Sequence, residues 1–319
     1  MSIKEVKNSL PNELIEILEN IYTAGQLDLI YKSFYRGRNT TFRINTLKGN
    51  IKEVMDEFNK NRIKAVNHPL LKNAFIVKGV KESSLRRLDV YKNGEIYLQN
   101  LSSMLPPLFL DLKEELIVLD MCAAPGGKSL YMADLINNKA TILANDVNEI
   151  RRERLNYNIE KQGANSIIVL GADGCSIGKR LNKYFDRILL DVPCSGEGTI
   201  HLKNNKAYKI WNEKKVALCS KLQKRLFDSA YHALKPGGIM VYSTCTLNPF
   251  ENEEVLDYAL NKYQDLKLEK INLQLSNVIS GIKQYKERMY NPEVTKAIRI
   301  IPNENMEGFF IAKIIKRKE

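Results

Sequence analysis

ELIVLDMCAAPGGKS, residues 115–129, is the stretch on which the fold turns. It opens as a short apolar run, passes through a turn holding Gly126 and Gly127, and leads into helical sequence at SLYMADLIN. A strand, a glycine turn and a helix in that order form the first step of a βα unit. The same step recurs downstream. ATILANDV precedes EIRRERLNYNIEKQG, SIIVLGADG leads into a short connection, and FDRILLDVP precedes a polar, basic stretch and the helix VALCSKLQKRLFDSAYHAL. KPGGIMVYSTCT then precedes NEEVLDYALNKY, and two late strands, AIRII and GFFIAKII, follow. Five such units with a final pair of strands predict an α/β fold: a doubly wound, mainly parallel sheet with antiparallel pairing at one edge.

Upstream, ELIEILENIY and QLDLIYKSFY read as amphipathic helices and IKEVMDEFNKN as a third. TFRINTL, AFIVKGV and GEIYLQN are strand-like. Residues 1–100 are therefore expected to form a smaller N-terminal α/β module, and residues 101–319 the large domain.

The 319 residues carry 49 Lys and Arg against 37 Asp and Glu, a net charge of +12 and a pI near 9.3. That excess favours a polyanionic partner such as nucleic acid, although a lysine-rich solvated surface accounts for it equally well. The opening MSIKEVKNSLPNE has no signal-peptide core, and no apolar run is long enough to span a membrane, so a cytoplasmic protein without membrane attachment is expected. Five cysteines form no C-x-x-C pair, and the three histidines are not spaced with them as zinc ligands, so neither a disulfide framework nor a metal site is expected.

The turn Cys122-Ala123-Ala124-Pro125-Gly126-Gly127-Lys128 admits backbone N–H groups close to a ligand at a helix N-terminus. A phosphate loop needs glycine where Cys122 stands, and a dinucleotide fingerprint needs separated glycines, so both readings fail. Asp146, at the end of the second strand, is placed to accept ribose hydroxyls; Asp173, after the third, is placed to accept an adenine amino group. Each alone is more often a turn carboxylate. Together they describe a nucleoside pocket without a phosphate requirement, which fits S-adenosylmethionine.

Cys194, in ILLDVPCSGEG, and Cys245, in IMVYSTCT, both follow strand-like runs, where an open α/β sheet collects its chemistry. A thiolate that adds to C6 of a pyrimidine turns C5 into a nucleophile toward a sulfonium methyl group. A free thiol near pKa ~8.5 must be helped to ionise. Asp191, three residues before Cys194, is placed to hydrogen-bond the ring at N3. The usual fate of a free cysteine is core filler, which suits Cys122, Cys175 and Cys219 better than Cys194, whose neighbours Pro193, Ser195, Gly196 and Gly198 make a turn. The residues alone do not rank the two thiols.

These stretches resemble the Sun-type (Nop/Sun) RNA cytosine-5 methyltransferases. The matching segments are RINTLK (43–48), YLQNLSSMLPP (97–107), DMCAAPGGKS (120–129), ANDVNEIRRERLNYN (144–158), DVPCSGEGT (191–199), LKPGGIMVYSTCTLNPFENEEV (234–255) and GFFIAKI (308–314). The resemblance implies a class I methyltransferase-like catalytic domain with an RNA-binding-like N-terminal domain, dependent on S-adenosylmethionine. It implies Cys245 as nucleophile, Cys194 as the thiol that assists product release, and cofactor contacts at Cys122 through Lys128, Asp146, Asp173 and Asp191. It implies methylation of cytosine in RNA, and a monomer is expected. Small-subunit ribosomal RNA is the expected target and tRNA the alternative. Lys32, Arg36, Arg38 and Arg43, then Lys203, Lys206 and Lys209 near Trp211, are the expected RNA contacts. Two other readings remain: an adenine amino-group methyltransferase, disfavoured because Cys194 stands where an aromatic residue is needed, and a non-catalytic RNA-binding assembly factor.

Overall fold

The computed structural model describes residues 1–203 and 207–318. Strands β1 (Thr40–Ile44), β2 (Ala65–Asn67), β3 (Ala74–Val77) and β4 (Ile96–Leu98) form an antiparallel sheet in the order β2-β3-β1-β4. One face carries Phe42, Ile44, Phe75 and Val77 onto Val54 and Phe58 of the helix Ile51–Lys60, a small core of its own. Phe42 stacks on Phe75 with ring centroids 5.3 Å apart.

The larger sheet has nine strands: β5 (Ile117–Asp120), β6 (Thr141–Asn145), β7 (Ile167–Leu170), β8 (Phe185–Asp191), β9 (Leu234–Thr244), β10 (Leu266–Glu269), β11 (Val278–Ser280), and, past a small hairpin of β12 (Gln284–Tyr285) and β13 (Arg288–Met289), β14 (Ile298–Ile300) and β15 (Phe309–Lys316). Its order is β11-β14-β15-β9-β8-β5-β6-β7, with β10 also paired to β15. Strands β5 to β9 are parallel, and the later strands join antiparallel beside β9. This is the expected doubly wound α/β architecture.

Alternation along each strand divides the apolar side chains between two faces. Leu119, Ile188, Leu190, Met240, Tyr242 and Phe310 join one core with the helices Glu213–Ala233 and Glu253–Lys262. Val118, Leu189, Val241, Phe309 and Ile311 join the other with the helices Leu101–Leu108 and Gly127–Leu135. The helices Asn12–Ile21 and Ala24–Arg36 pack Leu14, Ile17, Leu18, Ile30 and Phe34 into the first of these cores, away from the four-stranded sheet. The first 36 residues thus belong by packing to the large sheet.

Two features were not expected from the chain. Pro106 and Pro107 lie inside the helix Leu101–Leu108, at its last turn, where they cost the helix two N–H donors. The segment between residues 266 and 289 adds four short strands, whose two- to four-residue lengths give almost no periodic signal. Among the described residues, no helix is long and apolar enough to cross a membrane, and all five cysteines are free.

Candidate active site

Parallel pairing of β8 with β9 sets Asp191 opposite Ser243, and Val192 N–H donates to the Ser243 carbonyl at 3.1 Å. Both strands therefore leave the sheet at the same level. Three residues past Asp191 and two past Ser243, Cys194 and Cys245 meet with their sulfurs 3.3 Å apart. The hydrogen bond to Cys245, then burial, then the charges of Cys245, Glu251 and Glu197, push the Cys194 thiol well above the ordinary cysteine range.

Beside the thiols, Asp191 is held from both sides. Lys128 Nζ donates to its Oδ2 at 2.7 Å and Ser243 Oγ donates to its Oδ1 at 2.7 Å. Burial disfavours the Lys128 ammonium, but the charge and hydrogen bond of Asp191 outweigh it and raise its pKa. Lys128 also lies 5.4 Å above the Phe309 ring. A cleft of about 270 Å³ adjoins this pair, lined by Asp120, Cys122 through Pro125, Gly127, Lys128, Arg151 and Asp191, with Tyr97, Gln99 and Ser103 opposite.

The glycine turn is shaped as its sequence requires. Gly126 has φ +107°, and a Cβ there would lie 2.6 Å from Leu155 Cδ1, so only glycine fits. The helix Gly127–Leu135 then opens with its N-terminus on the cleft. Burial pushes the Asp120 carboxyl up to about 7 against a hydrogen bond from Ser129 at 2.6 Å, and its Oδ1 is buried without a hydrogen-bond partner. Burial, with the charges of Asp120, Asp191 and Asp146, pushes the Cys122 thiol far up, so it lines the cleft as a thiol. Asn145 ties the neighbouring strand ends together, donating to the Met121 and Ala172 carbonyls and accepting from Ala172 N–H.

Of the residues expected to hold a cofactor, Cys122, Ala123, Ala124, Pro125, Gly127, Lys128 and Asp191 line one cleft. Gly126 shapes the turn from behind. Asp146 is buried, accepts from Asn148 N–H at 2.9 Å, and faces Arg151 at 3.1 Å, which itself lines the cleft and donates to the Ala124 carbonyl. Asp173 is exposed and caps the helix Gly174–Arg180 by accepting from Cys175 N–H at 3.0 Å. Sequence reasoning passed over Tyr97, Gln99, Ser103, Asp120, Arg151 and Ser243. Arg151, one turn into the helix after Asp146, carried the one available signal: a cation aimed back at that carboxylate.

Several expected RNA contacts are committed to the fold. Arg43 is 1% exposed, paired with Asp134 at 3.2 Å, and sandwiched between the Tyr97 and Tyr131 rings. Arg38 donates to the Gly198 carbonyl at 2.9 Å, and Lys32 pairs with Asp28. Trp211 is buried with its indole N–H on Glu197 at 2.6 Å, so it offers no stacking face. Arg36, Lys203 and Lys209 are exposed, and Lys206 lies outside the described residues.

A doubly wound sheet with a glycine turn after its first parallel strand and a nucleoside-sized cleft at the strand ends defines a Rossmann-like methyltransferase. The chain belongs to the family described as 16S rRNA methyltransferase RsmB/F, whose profile matches residues 107–315. It is 39% identical to the tRNA (cytosine(49)-C(5))-methyltransferase of Pyrococcus abyssi, over 99% of either chain. It is 33% identical to ribosomal RNA small subunit methyltransferase F of Shewanella oneidensis, covering 97% of this chain but 64% of that one. A solved methyltransferase homolog protein from Pyrococcus horikoshii superposes with a TM-score of 0.78 at 33% identity, over 96% of this chain and 99% of that one.

The family depends on S-adenosylmethionine, and the residues here fit it. The unpartnered Asp120 Oδ1 suits an ammonium group, and the first amides of the helix Gly127–Leu135 suit a carboxylate. Asp146, behind Arg151, suits ribose hydroxyls.

Proposed function

We propose that this protein methylates C5 of cytosine in RNA, with Cys245 as nucleophile and Cys194 as the thiol that assists release. The observation that carries the reading is the pair of sulfurs 3.3 Å apart at two adjoining strand exits, beside a cleft that fits the methyl donor. Core-filling cysteines have no reason to converge there. Bound in the cleft, S-adenosylmethionine supplies an electrophilic methyl group. The Cys245 thiolate bonds to C6 of the ring, and the displaced electron pair is stabilised toward N3, to which the paired Asp191 and Lys128 would hydrogen-bond. C5 thereby becomes the nucleophile. After transfer, loss of the C5 proton and breakage of the C6–S bond restore the aromatic ring and return the thiolate. Cys194, held as a thiol, can hydrogen-bond that leaving sulfur.

RNA reaches this site over the seam between residues 1–100, the RNA-binding module in this reading, and the catalytic domain, residues 101–319. A groove of about 680 Å³ there shares Tyr97, Leu98 and Pro125 with the cleft and adds Tyr91, Tyr157, Arg86 and Arg154. Tyr157 is 63% exposed, and Lys161 Nζ lies 3.8 Å above the Tyr91 ring. An exposed ring among cations suits an unstacked base and its phosphate. Flipping the target base costs a few kcal/mol, which such contacts offset.

The match over 99% of both chains with an enzyme for tRNA cytosine 49 favours tRNA over small-subunit ribosomal RNA as the target. The enzyme acts as a cytoplasmic monomer in this reading. Bisulfite sequencing of total RNA from a strain lacking the gene tests it: one tRNA cytosine loses its methyl group. Loss from small-subunit rRNA alone would move the target. An unchanged cytosine methylation map would end the proposal.

A further inference from the structure

Two wholly buried carboxylates lie directly behind the thiols. Glu197 and Glu251 are both 0% exposed, and among the described residues neither pairs with a Lys or Arg. The residue after each candidate catalytic cysteine bears a hydroxyl, and these hydroxyls, on Ser195 and Thr246, are 3.1 Å apart. Ser195 Oγ also lies 2.8 Å from Glu197 Oε1 and in close contact with Glu251 Oε1. Trp211 and Asn248 donate to Glu197, while Ser195 N–H and Gln223 donate to Glu251.

A count of protons decides the state of this cluster. Ser195 Oγ has three oxygen neighbours but one hydrogen to give. If that hydrogen goes to Glu197 and Thr246 donates in, Glu251 is left facing a lone pair, which it satisfies only by carrying a proton. The alternative, two buried anions on one hydroxyl without a counter-ion, is far costlier. Burial and then the charge of Glu197 indeed push Glu251 up to about 8.

We propose that Glu197 and Glu251 share one proton through Ser195, and that their single remaining charge is a positioning device that helps keep Cys194 a thiol and aims its hydrogen at Cys245. The backbone supports the aim: Gly198 N–H donates to the Cys245 carbonyl at 3.0 Å, and Gln223 donates to both Glu251 and the Pro193 carbonyl. The two cysteine loops are thus joined through the carboxylate pair. Other groups facing the cluster are Tyr242 of β9, Cys219 of the helix Glu213–Ala233 and Tyr22 after the helix Asn12–Ile21. On the other side of the thiols, the charge of Cys245 is among the influences that raise Lys128. The value of this thiol to the reaction rests on the reading of Cys245 as nucleophile; the shared proton does not.

The test needs no RNA. Alkylation of Cys194 by iodoacetamide, followed by peptide mass spectrometry across pH in a Cys245→Ala background, gives its ionisation midpoint. Because one charge remains whichever glutamate is replaced, Glu197→Gln and Glu251→Gln each leave the midpoint nearly in place, and the double variant lowers it by about one unit. Independently, the infrared difference at neutral pH between the unsubstituted protein and Glu251→Gln, in which other raised carboxyls such as Asp120 cancel, shows the loss of one protonated carboxyl band, so the proposal stays testable should the double variant fail to fold. Equal, additive midpoint shifts from the single variants, or the absence of that band, would overturn it. Should Cys245→Ala retain full turnover, the catalytic reading falls while the proton measurement stands.

Discussion

Replacing Asp191 by Asn removes one charge and almost no volume. In the native site its Oδ2 accepts from Lys128 at 2.7 Å and its Oδ1 from Ser243 at 2.7 Å. Asparagine keeps one acceptor oxygen, so either Lys128 or Ser243 meets an amide NH₂ instead. Breaking a fully buried pair costs about 3–5 kcal/mol. This one borders an open cleft, with side chains 13% and 26% exposed, and solvent screening reduces the cost to about 1–3 kcal/mol. The sign with pH follows from Lys128, whose native pKa is raised. Its contribution is fully present below the ordinary lysine value near ~10.4 and is lost as pH rises through the higher native value. Urea melts should therefore show the Asn variant less stable at pH 7.5, with the gap narrowing at pH 11 and above. Turnover should fall by about 10²–10³-fold, the scale of losing one preorganised stabilising group. A stability gap independent of pH, or turnover within a few-fold of the native enzyme, would refute the assignment of this ion pair.

Cys245→Ala abolishes methyl transfer, whereas Cys194→Ala accumulates a covalent RNA–protein adduct visible as a shifted band on denaturing gels. Arg43→Ala leaves Asp134 with only its Thr46 donors and costs about 3 kcal/mol in a thermal or urea melt; the salt slope of RNA binding stays unchanged, because Arg43 is buried. Tyr157→Ala weakens RNA binding by about 1–3 kcal/mol in a filter-binding or anisotropy titration. Arg154→Ala lowers the salt slope of the same titration by about one unit.

The parallel half of the molecule was legible because its strands are buried on both faces and read as apolar runs closed by turn residues, as in ELIVLDM and FDRILLDVP. The two thiols were legible for the same reason: each stands where such a run stops. Their contact was not, since it depends on the pairing of Asp191 with Ser243, which no local pattern encodes. Arg43 looked like a phosphate ligand because charge is visible in a sequence and burial is not. Its sandwich between Tyr97 and Tyr131 arises only when the small sheet meets the helix Gly127–Leu135. Glu251 was hidden likewise. In PFENEE it is one acid among three, and the structure separates it from its neighbours by giving it Ser195 and Gln223 as partners.

The pairing of Asp191 with Ser243 has a corollary for quality control. Adjacent side chains on a strand point to opposite sides, so a slip of one position between β8 and β9 would bring the two sulfurs out of reach of each other. A misregistered copy then lacks the Cys194 thiol beside Cys245, and in this reading its fault is a failure to let go of the base rather than a failure to attack it.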